Sequence, residues 1–434
     1  MTRAFAGIRV IDLTHVLAGP FATYQLAVLG ADVIKIEHPE RPDQVRETGT
    51  DPALGQVLMG TNYLSQGSNK RSLTLDLTQP AGREVLARLL ATADVLVENY
   101  RAGALEALGF GYEAAIALKP DLVYCSITGF GQTGPKRAYT AYDGIVQASS
   151  GLMSVTGTPE VTPLKVGAPV IDYAAGTTAA LAISAALHAR ARTGEPQFVD
   201  VSMQDVALML MSSNITGLSA SGQMLSTPRG NDFVTAEGSC YRTRDGMIMI
   251  AALNRRQQER LWGAVGRPDL GPTPEDATQT ASPACDAERR KVLAETFAGA
   301  GAQEWEQRLN AAGVPAARVG TVAEALASEQ VATRPSLTHV HPNLFGDDRD
   351  ITVPVAGFGF ARGGPSIDNA PPAMGADSLS ILEELGYGAG AIDGLLQARV
   401  TSTTTNNQQH SAGDEPSIGP RAHEGAASKN GTVV

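Results

Sequence analysis

The sequence predicts an α/β fold, with a large doubly wound, Rossmann-like domain and a smaller α/β domain. Two observations predict it. Across residues 1–214, short β-rich runs alternate with segments of helical spacing, which implies parallel strands joined by right-handed crossovers. From about residue 231 a smaller unit follows, with one apolar run among Ala-rich stretches, after a Ser/Thr/Gly/Pro-rich interval at 215–230 that reads as a linker.

Residues 7–14 (Gly-Ile-Arg-Val-Ile-Asp-Leu-Thr) form the first predicted strand, and 19–30 carry helical spacing closed by Gly30. Residues 31–37, 71–77, 94–99 and 122–128 are the next strands, separated by an irregular stretch after 37 and by helices at 79–93 and up to Lys119. A helix starts near Asp172 and runs to about Arg190, followed by a strand at 197–203 and a Met-rich helix at 204–213 whose methionines read as core. The small unit spans 231–323, with a strand at 247–252 and a surface loop at 265–285. Residues 324–400 return to the large domain through a strand at 351–355 and a helix near 378–386. The polar segment 401–434 cannot supply a core and is expected to be disordered.

A length of 434 residues suits two domains, and a net charge of −11 argues against nucleic acid as a main partner. Cys125, Cys240 and Cys285 are odd in number and widely spaced, which suggests a reducing compartment without a disulfide framework. The N-terminus has no apolar signal region and no run reaches 18 uninterrupted apolar residues, so a cytoplasmic protein without membrane partners is expected. The turn after the first strand has one Gly, not the three of the dinucleotide fingerprint. Residues 129–134 have P-loop glycine spacing, but Pro135 stands where the phosphate-binding Lys belongs. There is no GxSxG elbow. His339 and His341 lie near prolines without a carboxylate or Cys cluster and read as surface residues, so no metal site is expected.

Asp172 is a lone carboxylate between an apolar approach and a small-residue helix. The simplest local reading is a helix N-cap; the functional reading is an anionic nucleophile in apolar surroundings. The residues around it decide the emphasis. Collinear motifs run from 7–20 through Gly30-Ala-Asp-Val-Ile-Lys-Ile-Glu-His-Pro39, 69–77, 94–100, 126–135 and 193–203 to Gly313-Val-Pro315, Pro371-Pro372 and 381–387. In these the chain resembles the class III CoA-transferases (CaiB/BaiF, formyl-CoA transferase-like) over about residues 5–400.

The resemblance implies a CoA-transferase that moves CoA from an acyl-CoA donor to a carboxylic acid acceptor through an aspartyl-CoA thioester on Asp172. Coenzyme A would be a carrier substrate, with no metal. Asp143 would orient substrate or tune Asp172, or else serve as a turn residue. CoA would be lined by His15, Val16, Ala18, His38, Leu75, Asn99, Tyr100, Arg101, Lys136 and Tyr142, with Lys70, Arg71 and Arg137 as further cations for its phosphates. The helix N-terminus would keep Asp172 ionised. Related racemases carry His at position 142; here it is Tyr142, which favours transfer over α-proton exchange. A racemase or epimerase and a catalytically silent CoA-binding protein remain the alternatives. Leu17 replaces a Gln of formyl-CoA transferases, which favours a dicarboxylic or branched acid, with succinyl-CoA as donor, over oxalate. The resemblance also implies ring-like subunits in an interlocked homodimer.

Overall fold

Six runs rich in Val, Ile and Leu form one parallel sheet: β1 (Arg9–Leu13), β2 (Asp32–Glu37), β3 (Lys70–Thr74), β4 (Val95–Glu98), β5 (Val123–Thr128) and β6 (Gln197–Ser202), ordered β3-β2-β1-β4-β5-β6. The structure is a computed structural model that describes residues 2–223, 230–232, 235–272, 283–334, 338–341 and 349–404. Val10 lies opposite Val33 on one side and Val95 on the other. The order reverses between β1 and β4, and at such a point a crevice opens beyond the carboxyl ends of the strands.

The helices of this part are α1 (Ala18–Val28), α2 (Pro52–Gln56), α3 (Thr61–Gly67), α4 (Pro80–Ala91), α5 (Ala104–Ala107), α6 (Tyr112–Leu118), α7 (Asp143–Ser150), α8 (Val170–Thr193), α9 (Met203–Leu210) and α10 (Ser212–Ser221). Alternation along each strand feeds two cores. Val10, Val33, Val95 and Val97 face α1 and α8, whereas Ile11, Leu13, Ile34 and Leu96 face α4. The small residues of α8 let it approach α1 closely; a Cβ on Gly176 would lie 2.6 Å from the Ala18 carbonyl oxygen. By length and composition α8 could cross a membrane, yet Ile171, Ala175, Ala179 and Ile183 are fully buried in the core, as in a core helix.

The second sheet is antiparallel, ordered β7 (Cys240–Arg242), β8 (Met247–Ile250), β9 (Ala316–Arg318), with α11 (Arg255–Ala264), α12 (Pro283–Phe297) and α13 (Ala302–Ala311) packed around Trp262, Phe297 and Trp305. The chain then passes through α14 (Val322–Leu326), α15 (Glu329–Ala332) and the antiparallel pair β10 (Thr338–His341) and β11 (Ile351–Pro354). It ends on α16 (Ser378–Glu384) and α17 (Ala389–Gln397), which place Ile381, Leu382 and Ile392 on the α4 face of the large sheet.

Several local readings change. The stretch after β2 holds α2 and α3, and α10 occupies the first part of the expected linker. Its Ser and Thr content conceals a helix closed by Gly222 in the left-handed conformation. His341 is not a surface residue: it is buried in β10, with Nε2 3.0 Å from Ser68 Oγ. The polar tail begins as structure, since Thr401 and Ser402 are buried and the Ser402 N–H donates to Thr74 Oγ1 at 2.7 Å. The rest of the tail, 405–434, and residues 273–282 of the predicted loop 265–285 lie outside the described residues, while 283–285 of that loop begin α12.

Candidate active site

The crevice is built on the turn after β1. Asn99, at the end of β4, grips the His15 peptide from both sides. Its Oδ1 accepts the His15 N–H at 2.8 Å and its Nδ2 donates to the His15 carbonyl at 2.7 Å. Val16 stands at φ 70°, the left-handed region, where a β-branched residue is strained by about 1–3 kcal/mol. The Val16 N–H donates to Asp43 Oδ1 at 3.0 Å, and Gln66 Nε2 donates to the Val16 carbonyl at 2.7 Å. Asp43 is buried against Lys35, whose ammonium also donates to the Thr14 carbonyl at 2.9 Å. A buried charge network therefore holds the turn. Gly19 seats it closely, since a Cβ there would lie 2.4 Å from Thr14 Cβ. Gly19→Ala is expected to destabilise the fold by about 1–3 kcal/mol, read by thermal denaturation. An unchanged midpoint would mean that the turn yields.

Two cavities meet at this turn. One of about 200 Å³ is lined by His15, Val16, Leu17, Ala18, Asn99, Tyr100, Arg101, Arg137, Tyr142 and Asp172, among others. The other, about 260 Å³, is lined by His15, His38, Arg41, Leu75 and Tyr100, among others. His15 and Tyr100 belong to both, with their rings edge to face at 5.5 Å between centroids. Burial, then Lys35, lowers the His15 pKa, which favours the neutral imidazole. Of the sequence-predicted site residues, Lys70, Arg71, Lys136 and Asp143 line neither cavity, and Asp143 meets Asp172 from behind the wall; the others line one or both.

The cations are redistributed. Lys70 is buried and donates to Asp12 Oδ2 at 3.0 Å and to Thr23 Oγ1 at 2.8 Å, and Arg71 pairs with Asp32 and Glu384, so neither is available to a phosphate. Lys136 places its ammonium over the Phe130 ring, 5.4 Å from the centroid. The His38 pKa is lowered by burial and then by Arg41; its Nδ1 accepts the Glu40 N–H at 3.1 Å and its Nε2 lies 3.5 Å from Asp76. Both effects favour its neutral form. Arg41, bridged to His38 across a tight turn, is the guanidinium of that cavity, and sequence reading missed it. Its only signal was a basic residue just beyond β2.

Asp172 is in the first turn of α8, not at its cap, which is Pro169. The capping oxygen comes from the buried Asp143 on α7: its Oδ2 accepts the N–H groups of Ile171 at 2.7 Å and Asp172 at 3.3 Å. Proline at the cap has no side-chain acceptor, so the free N–H groups of the helix start take one from another element. Asp143 is held in turn by Gln147, whose Oε1 accepts the Val166 N–H at 2.9 Å. Partial burial, then the Asp143 charge, raises the Asp172 pKa to about 7. The expected ionising effect of the helix terminus is outweighed, because Asp143 has already spent part of it. A half-buried carboxyl that titrates near neutrality, in the wall of a cavity, is a candidate nucleophile.

Glu98 was also missed. It is buried beside the site, accepts the Tyr100 N–H at 2.8 Å, and is pushed up to about 7 by burial. It supports the Asn99–Tyr100 turn from a separate cavity of about 340 Å³.

Residues 5–378 match the sequence profile of CoA-transferase family III. The chain is 34% identical over 403 residues to succinyl-CoA:glutarate CoA-transferase of Homo sapiens, covering 91% of this chain and 89% of that protein. It is 37% identical over 339 residues to a succinate–glutarate CoA-transferase of Agrobacterium fabrum, covering 76% and 83%. Its fold is similar to that of a CaiB/BaiF family protein from Brucella suis, with a TM-score of 0.76 and 30% identity over 89% of this chain and all of that one. The chain belongs to CoA-transferase family III and is a CoA-transferase, acting on an acyl-CoA donor and an acid acceptor.

Proposed function

We propose that the enzyme transfers CoA from succinyl-CoA to a dicarboxylic acid through Asp172. The carrying observation is the position of that carboxyl in the wall of the cavity at the β1/β4 crevice. In the first step an Asp172 carboxylate oxygen attacks the thioester carbonyl, the C–S bond breaks, and CoA leaves as thiolate from a mixed anhydride. The thiolate then attacks the Asp172 carbonyl, forms an aspartyl-CoA thioester and expels succinate. The acceptor carboxylate attacks that thioester to give a second anhydride and thiolate. Thiolate attack on the acceptor's carbonyl releases the new acyl-CoA and regenerates Asp172. An acyl anhydride stays activated, so thioester energy is conserved throughout.

The thiol end of CoA would lie in the Asp172 cavity, with the chain passing His15 and Tyr100 to Leu75 and Arg41 in the second. The relatives' use of succinyl-CoA and glutarate supports the choice of acids. A homodimer fits the exposed apolar residues of α8, α9 and α10, among them Leu181 at 70% and Met209 at 73% exposure, which a partner subunit would cover.

The test is a panel of acids with succinyl-CoA, read by mass spectrometry, with hydroxylamine added to trap the intermediate. The expected result is a new acyl-CoA and a hydroxamate on Asp172. Turnover with the hydroxamate on another residue would sink the mechanism, and α-deuterium uptake without transfer would point to the racemase instead.

A further inference from the structure

We infer that Arg137 is the specificity residue that holds the second carboxylate of the dicarboxylic substrate. This rests on the transfer reading above. Arg101 and Arg137 both line the Asp172 cavity, and neither has a carboxylate partner among the described residues. Most other guanidiniums near the crevice are committed: Arg46 to Glu37, Arg71 to Asp32 and Glu384. A dicarboxylate approaching Asp172 brings two negative charges toward a wall that already carries one, with Asp143 behind it. Its far carboxylate needs a compensating cation within the same cavity.

The two arginines differ in placement. Arg101 follows the Asn99–Tyr100 turn and also lines the neighbouring Glu98 cavity. Arg137 lies on the segment that leads through Tyr139 and Tyr142 into α7, and so belongs to the Asp172 side. Its loop is ordered by its own bonds: the Arg137 N–H donates to the Gly134 carbonyl at 3.3 Å and the Tyr139 N–H to Lys136 at 2.9 Å. Lys136 is turned onto the Phe130 ring, whose edge meets Tyr139. That leaves the guanidinium of Arg137, with its planar fork suited to a carboxylate, to the cavity.

The test compares glutarate with pentanoate, which has the same carbon count and one carboxylate, as acceptors for wild type, Arg137→Gln and Arg137→Lys. Wild type is expected to favour glutarate. Arg137→Gln should raise the glutarate KM at least about tenfold with kcat nearly unchanged, leave the pentanoate KM alone, and so collapse the preference. Arg137→Lys should recover part of it. An unchanged glutarate-to-pentanoate ratio in an active Arg137→Gln enzyme would overturn the assignment while leaving CoA transfer intact. A wild type that transfers CoA to neither acid nor to any other would overturn the underlying reading.

Discussion

Asp172→Asn is expected to lower CoA transfer at least about 10⁴-fold, because the amide cannot form the anhydride, while acyl-CoA binding changes little. The wild-type rate should rise with pH through about 7, since the carboxyl must be ionised to attack and burial, then Asp143, holds its pKa there. The same shift has a stability consequence. A carboxyl whose pKa is higher in the folded than in the unfolded chain favours the folded state when protonated. That advantage is present in acid and is lost as pH rises from about 4, the ordinary value, through about 7. At pH 8 the wild type carries the full cost of a half-buried charge, about 1–2 kcal/mol after allowance for its partial exposure. The Asn variant avoids it, so its melting temperature at pH 8 should be about 2–4 °C higher, with the gap closing by pH 4. Single-turnover assays and melts at the two pH values check both parts. A variant with near-normal turnover would remove Asp172 from the chemistry.

Asp143→Ala is expected to act in two separable ways. It leaves the Ile171 and Asp172 N–H groups and the Gln147 amide without their acceptor, at a cost of about 2–4 kcal/mol. It also removes the negative charge that helps hold the Asp172 pKa up, so the acid limb of the pH–rate profile should move to lower pH. Asp143→Asn divides the effects: it keeps an acceptor oxygen and should regain stability, but it lacks the charge and should keep the shifted limb. An acid limb that stays near pH 7 in both variants would limit Asp143 to capping.

Asp143 also illustrates where reading a chain in order stops. As a turn residue and as a partner of Asp172 it was open to two roles. Its carboxylate in fact performs the cap that the neighbourhood of Asp172 suggested for Asp172 itself. The two residues are 29 positions apart, and only the packing of α7 against α8 joins them. The cations show the same limit. Lys70, Arg71 and Lys136 read as equivalent basic residues, but β3 points Lys70 at Asp12, Arg71 meets Asp32 and Glu384, and Lys136 turns to Phe130. Arg41 and Arg137 are left facing the cavities.

By itself the sequence determined the parallel sheet, because period-2 and helical apolar spacing are local properties of the chain. It marked the residues after β1 and the Asn99–Tyr100 pair after β4, because motifs at both strand ends resemble those of the family, and it singled out Asp172 as a carboxylate in small-residue surroundings. Tertiary structure alone decided which strands flank the crevice, which arginines remain unpaired and what titrates Asp172 near neutrality. Those properties depend on distances between groups far apart in the chain and on the exclusion of water between them. Charge compensation and desolvation act through space, and a one-dimensional pattern carries neither.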